Sequence, residues 1–236
     1  MRQPSAIPTF VEAVSIVVEK ISTSVKLGDN GPMPHDNEPA PSSPTPARAD
    51  RRTLMLDASI RVLASQGLRG LTHRAVQEEA GLPNGSVTYY FKTRDQLILA
   101  VIDRMATRDK MYANEITHEL MRMTAVRPIA IDYPRIARFV RDWWNEGRDV
   151  QLARLELELA GAREPLIREE MIRCQAEFRG FAELVALALG STNARLDGHI
   201  LLALLQGLLF DHVTRDWEDL EILEVGLRRA IESVRY

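Results

Sequence analysis

Residues 71–91, LTHRAVQEEAGLPNGSVTYYF, leave the chain few options: two short helices joined by a sharp turn. Thr72 is placed to cap a helix whose inward positions are Ala75, Val76 and Ala80. Gly81 supplies the positive φ that ends it and redirects the chain. Pro83 and Asn84 suit the start of a second helix, where a missing N–H costs nothing and an Asx side chain bonds back to the backbone. Val87 and Phe91, four apart, face the core. Left outside are Asn84, Ser86, Thr88, Tyr89 and Tyr90, hydrogen-bonding side chains with little reason to be buried together.

A helix of this size, taken as residues 84–91, fits the major groove of DNA, where donor and acceptor patterns distinguish all four base pairs. The flanks agree. A first helix is expected over residues 51–66, with Met55, Ala58, Ser59, Val62 and Leu63 on one face and Gly67 ending it. After Phe91, Thr93 is a cap for a fourth helix with Asp95 and Gln96 in its first turn, which sets Lys92 and Arg94 beside the phosphates. The charge is local: residues 51–110 carry net +4, residues 1–50 net −2 and residues 111–236 net −5, within a chain total of −3. A nearly neutral chain is no general polyanion binder, so DNA contact is expected from the basic segment alone.

The order helix, Gly67, Thr72-His73-Arg74, Ala80-Gly81, short aromatic helix, Thr93-Arg94-Asp95-Gln96-Leu97 resembles the tetracycline-repressor (TetR) family over about residues 51–101. The resemblance implies an N-terminal domain that binds operator DNA as a dimer and a variable helical C-terminal domain that binds an inducer. By position, Arg74 corresponds to a base-contacting residue, and Asn84, Gly85, Ser86 and Thr88 to groove-facing ones. Thr72, His73, Tyr89, Tyr90, Lys92 and Arg94 correspond to phosphate contacts, and Pro83 completes the DNA-binding set. Two departures matter: Tyr is frequent in the family where Thr88 stands, and a small Ala where Gln77 stands. The operator sequence is therefore not transferable.

The rest of the chain reads all-α, with the helix-turn-helix domain over residues 51–98 and an effector-binding and dimerisation domain over residues 99–236. Leu97, Val101, Ile102, Met105 and Met111 continue a long fourth helix joining the two domains. Ile136, Phe139, Val140, Trp143 and Trp144 form another, followed by Leu152, Leu155 and Leu159 with Arg154 and Glu158 one turn apart. Pro165 opens a further helix closed by Gly190. The last two helices carry a quaternary expectation, because residues 200–210 are apolar nearly all round and need partners on more than one side. Leu201, Leu205, Leu208 and Leu209, with Leu223, Leu227 and Ile231 of the final helix, are expected to pair with the same residues of a second copy. For a small-molecule effector the expected contacts are Met123, Phe139, Trp143, Trp144, Phe178 and Phe181, with Gln206 as a polar partner.

Residues 29–50 hold six prolines among Ser, Asp and Asn and are expected to be a disordered linker. Before it, Phe10, Val11, Val14, Val17, Val18, Ile21 and Val25 share a helical stripe within residues 1–28. That stripe is either a partner-binding or self-docking amphipathic helix or a translated stretch without function. The single cysteine, Cys174, excludes a disulfide framework and makes a reducing cytoplasm the simplest compartment. No window is long and uncharged enough to suggest a membrane partner. Enzyme signatures are absent: no Gly-x-Ser-x-Gly, phosphate-cradling loop or dinucleotide fingerprint. His118-Glu119 begins like a zinc-protease motif, but Arg122 stands where the second histidine is needed. No metal or cofactor is therefore expected. The expected partners are double-stranded operator DNA, a second copy of the chain and an unidentified small-molecule effector. The rival reading is a helical small-molecule-binding protein or enzyme without operator affinity.

Overall fold

Nine helices follow one another in the described residues, with no strand between them. A computed structural model describes residues 46–125, 129–215 and 219–234. The proposed amphipathic helix of residues 1–28 and most of the proline-rich stretch lie outside them. The helices are α1 (Pro46–Gly70), α2 (His73–Glu79), α3 (Ser86–Tyr90), α4 (Arg94–Thr124), α5 (Tyr133–Glu146), α6 (Arg148–Gly161), α7 (Pro165–Ala188), α8 (Ala194–Arg215) and α9 (Leu220–Glu232).

Helix α1 begins five residues before the expected start, so residues 46–50 are helical rather than linker. Proline at the first helical position forfeits no hydrogen bond, and the Ala-Arg-Ala run that follows favours helix. The break expected at Gly67 is present: φ is +67° there, and a short last turn follows. Thr93 caps α4 by accepting from the Gln96 N–H at 3.2 Å. Asp132 caps α5 by accepting from Arg135 N–H at 3.0 Å, and Asp219 caps α9 through Glu221 and Ile222.

Two apolar cores form. The first gathers α1, α2, α3 and the first half of α4 around Met55, Leu63, Val76, Val87, Phe91 and Val101. It also takes in Val150, Ala153 and Leu157 of α6 and Ile167 of α7. The N-terminal helices are thus completed by residues from far along the chain, and residue 98 does not separate two cores. The second core joins the end of α4 to α5, α8 and α9 around Ile136, Val140, Trp144, Leu209, Val213, Leu223 and Leu227. Helix α4, 31 residues long, serves both.

Helix α8 is apolar on every side, and by length and composition it alone among the described residues would span a membrane. Its polar residues argue otherwise. Asp197 is buried and accepts from Ser191 Oγ at 2.5 Å, and buried His212 meets Asn145 Oδ1 at 2.7 Å. One face packs on the second core while Leu196, Ile200, Leu204 and Phe210 stay exposed.

Gly67 and Gly180 give contrasting expectations. A Cβ on Gly67 would adopt a left-handed backbone and lie 3.0 Å from Glu156 Oε2, so Gly67→Ala should cost about 1–2 kcal/mol in urea unfolding. Gly180, mid-helix with open space around it, should gain up to about 1 kcal/mol as Gly180→Ala. A neutral Gly67→Ala would mean that the break in α1 relaxes freely.

Candidate nucleic-acid interface and internal cavity

The turn between α2 and α3 is built from backbone geometry. Thr72 Oγ1 accepts from Ala75 N–H at 3.1 Å, and Gly81, at φ +63°, ends α2. Helix α3 then starts at Ser86 rather than at Asn84: Pro83 and Asn84 form a turn, and Gly85, at φ +82°, is the residue that caps the helix. Two left-handed residues four apart are accessible without strain only because both are glycine. Beneath α3, Val87 is fully buried and Phe91 nearly so, with the Arg52 guanidinium 5.5 Å from the Phe91 ring centre.

Thr88 and Tyr89 stand on the outer face of α3, with Tyr89 61% exposed, while Ser86 and Tyr90 are half-buried beside them. Tyr89 and Tyr90 meet edge to face at 5.3 Å, and Lys92 Nζ lies 5.4 Å from the Tyr89 ring centre. The Arg74 side chain is 87% exposed and bonded to Glu78 at 2.8 Å. So open a pair contributes little, and the guanidinium is released at small cost. Asn84 is held from behind, because buried Gln77 donates from Nε2 to its Oδ1 at 2.8 Å. Gln77, one of the two family departures, therefore fixes the turn.

Two of the expected phosphate contacts are placed differently. Arg94 donates from Nη2 to Leu68 O at 2.6 Å and from Nε to Leu71 O at 3.4 Å. Of those carbonyls, that of Leu68 also accepts from Leu71 N–H at 3.3 Å, and a cation at a helix C-terminus is the natural further partner. His73 has its Nε2 buried without a hydrogen-bond partner among the described residues. Thr72 is exposed, and its hydroxyl, which accepts as the α2 cap, keeps its O–H to donate.

In the C-terminal half, α4, α5, α7, α8 and α9 line an apolar cavity of about 120 Å³ that opens to the surface. Trp143, Phe178 and Phe181 line it as expected, with Ile116, Thr117 and Leu120 of α4. The other expected effector contacts do not meet there. Trp144 packs its ring 5.4 Å from His212, Met123 and Phe139 lie outside the wall, and Gln206 is exposed on the other side of α8. The residues expected at a subunit interface are also relocated. Leu201, Leu205, Leu208, Leu227 and Ile231 line the cavity, and Leu209 and Leu223 are buried in the second core. A helix apolar all round gives no periodic signal for which stripe turns inward, and here the outward stripe is Leu196, Ile200, Leu204 and Phe210.

Behind Trp143 lies a buried polar cluster that the sequence reading missed. Asp109, 2% exposed, pairs with Arg154 and accepts from Trp143 Nε1 at 3.4 Å. Arg154 Nε also donates to Gln151 Oε1 at 3.3 Å, and Glu158 accepts from Gln175 Nε2 at 3.0 Å. Burial pushes the Glu158 carboxyl up from its ordinary range, against the pull of Arg154 and the hydrogen bond from Gln175. A signal was available: Asp109 falls in register with Met105, Ala113 and Thr117 on the buried stripe of α4.

Comparison with known proteins points one way. The family model "Bacterial regulatory proteins, tetR family" matches residues 55–101, and "Tetracyclin repressor-like, C-terminal domain" matches residues 134–234. The HTH-type transcriptional regulator in the dhlA 5′ region of Xanthobacter autotrophicus is 28% identical over 100 residues, 38% of this chain. The chain spans about half the length of that relative, 50%. A TetR-family member from Streptomyces coelicolor A3 is 28% identical with a TM-score of 0.57, over 77% of this chain and 98% of its own. The multidrug binding protein EbrR, solved with malachite green, is 27% identical with a TM-score of 0.56, over 77% of this chain and 98% of its own.

The buried cluster sets opposite outcomes for two substitutions. Arg154→Leu leaves Asp109 buried and unpaired and should cost about 3–5 kcal/mol. Glu158, whose folded-state pKa is raised, contributes stability that is complete below the ordinary carboxylate range and is lost as pH rises through the folded value. Glu158→Gln should therefore be more stable than the parent in urea unfolding at about pH 7, with the gain vanishing near pH 4. An equal gain at both pH values would contradict the raised carboxyl.

Proposed function

Because the chain belongs to the tetracycline-repressor family of transcriptional regulators, we propose that it acts as a homodimeric repressor that binds operator DNA and releases it when a small molecule enters the internal cavity. The observation that carries the DNA reading is the outer face of α3, held over a fully buried Val87 and flanked by exposed Arg74 and Lys92. Thr88 and Tyr89, with the turn residues Pro83, Asn84 and Gly85, are assigned to the major groove and its edge. Arg74 is assigned to a base, Lys92 and Tyr90 to phosphates. Two copies of α3 would enter successive major grooves about 34–36 Å apart on a near-palindromic site.

The second copy is assigned to the open stripe of α8, where Leu196, Ile200, Leu204 and Phe210 are each at least 41% exposed, with Val225 of α9 beside them. Contiguous apolar surface of this kind marks an interaction site, and pairing it about a two-fold axis also holds the two α3 helices apart. The cavity is the effector site in this reading. Its wall includes Ile116, Thr117 and Leu120 of α4, the helix whose first residue follows directly on the DNA-reading segment. An effector shifts the α3 spacing only by binding one arrangement of α4 more tightly than the other. The likeness to EbrR, a multidrug binding protein solved with malachite green, supports a small-molecule site in the C-terminal half without bearing on the ligand's class.

Selection of bound duplexes from a random pool should return a near-palindrome. On it, Arg74→Ala should cost about 1–3 kcal/mol at one base position, while Lys92→Ala should weaken all sequences and lower the salt slope by about one. A pool without sequence enrichment at moderate salt would falsify the operator reading. For the dimer, Leu204→Glu should give a monomer in sedimentation and abolish tight operator binding while the monomer stays folded. Leu209→Asp, by contrast, should unfold the second core. A Leu204→Glu protein that remains dimeric refutes the assigned face.

A further inference from the structure

The cavity wall carries more information than its existence. None of its residues is ionisable, and only Thr117 and Trp143 bring a polar atom. Trp143 already donates its indole N–H to Asp109. Asp109 in turn is neutralised by Arg154, whose guanidinium lies 6.0 Å from the ring centre of Phe178, a cavity wall residue. A ligand cation would find no carboxylate to replace its hydration and would meet a guanidinium behind the Phe178 wall. A ligand carboxylate would find no donor in the wall itself, because Arg154 is committed to Asp109. A carboxylate there has no partner for the hydration it loses, and a cation has only the faces of Trp143, Phe178 and Phe181, so an uncharged ligand is favoured over either ion.

Size narrows the class further. An apolar cavity of about 150 Å³ lined by Leu, Ile and Phe stays dry and binds benzene. At about 120 Å³, with Leu201, Leu205, Val185 and Phe181 in its wall, this cavity has room for one ring or a short hydrocarbon chain. We propose that the effector class is an uncharged, predominantly hydrocarbon molecule of single-ring size, recognised by shape and burial, with Thr117 offering the hydroxyl in the wall. This rests on the proposed role of the cavity as the effector site.

The test uses the full chain and three single-ring probes: toluene, benzylammonium and benzoate. Each is titrated while the melting temperature is followed and, separately, while fluorescence anisotropy follows a selected duplex. Toluene should raise the melting temperature, and the two ions should bind at least about 100-fold more weakly. Leu205→Phe, which fills the cavity from its wall, should remove the toluene response while the protein keeps its cooperative melting transition. Either ion binding as tightly as toluene, or no response to any of the three, overturns the ligand class. A toluene response that Leu205→Phe leaves intact overturns the site. Toluene binding that leaves the duplex bound upholds the ligand class and removes the release mechanism instead, so the two readings fail separately.

Discussion

The peptide at Leu68 is gripped from two directions, and the relation between the two halves of the protein depends on that grip. Gly67 breaks α1 in a left-handed conformation, which frees the Leu68 N–H and the Leu71 carbonyl and leaves the Leu68 carbonyl with the Leu71 N–H at 3.3 Å and a lone pair to spare. The Glu156 carboxylate of α6 takes the N–H at 3.4 Å, and Arg94, the first residue of α4, takes both carbonyls. One residue's backbone is therefore bonded to α4 and to α6 at once. The three helices cannot shift independently without leaving a partly buried polar group unsatisfied, a loss of about 1–3 kcal/mol. Bidentate Arg104–Asp57 at 2.9 and 3.1 Å fastens α4 to α1 a second time.

From that anchorage α4 runs about 45 Å at 1.5 Å per residue. Its buried stripe changes character on the way, from Leu97, Val101 and Met105 in the first core, through Asp109, to Ala113, Thr117 and Leu120 at the cavity. Asp109 marks the crossover. Its ion pair with Arg154 ties α4 to α6 again, two residues along α6 from the Glu156 grip, and its contact with Trp143 reaches the cavity wall. Replacing such a buried pair with apolar residues is often neutral or stabilising, so stability alone does not account for it. Its geometric effect is definite: the orientation of Trp143, the position of α6 and the register of α4 are set by one carboxylate.

What was legible in the sequence was whatever local chemistry dictates. Gly81, Thr72, Thr93 and Gly67 announced their turns and caps because a positive φ or a cap oxygen is a property of one residue and its immediate neighbours. The start of α3 was misplaced by two residues because Pro83 and Asn84 suit a turn as well as a helix start, and Gly85 decided between them. Arg94 looked like a phosphate contact because its other partner, a broken helix end 26 residues earlier, is not local. Asp109 sat unremarked on an apolar stripe because its partner lies 45 residues away. Helix α8 was the hardest case, since apolar residues on every side erase the phase that tells inside from outside.

That ambiguity in α8 has a structural consequence of its own. Leu201, Leu205 and Leu208 turn into the cavity, while Ile200, Leu204 and Phe210 turn outward from the same turns of helix. A polar residue on either stripe would have made the helix easier to read and would have spoiled one of two apolar surfaces. In the proposed dimer the outward stripe is pressed against its copy, so one helix is at once the wall of the effector site and the seam between subunits. Close packing makes interiors transmit displacement rather than absorb it. In the proposed dimer, a molecule that pushes Leu205 and Leu208 aside would act on the subunit seam as directly as on α4. In that proposal the separation of the two α3 helices would depend on both of those contacts.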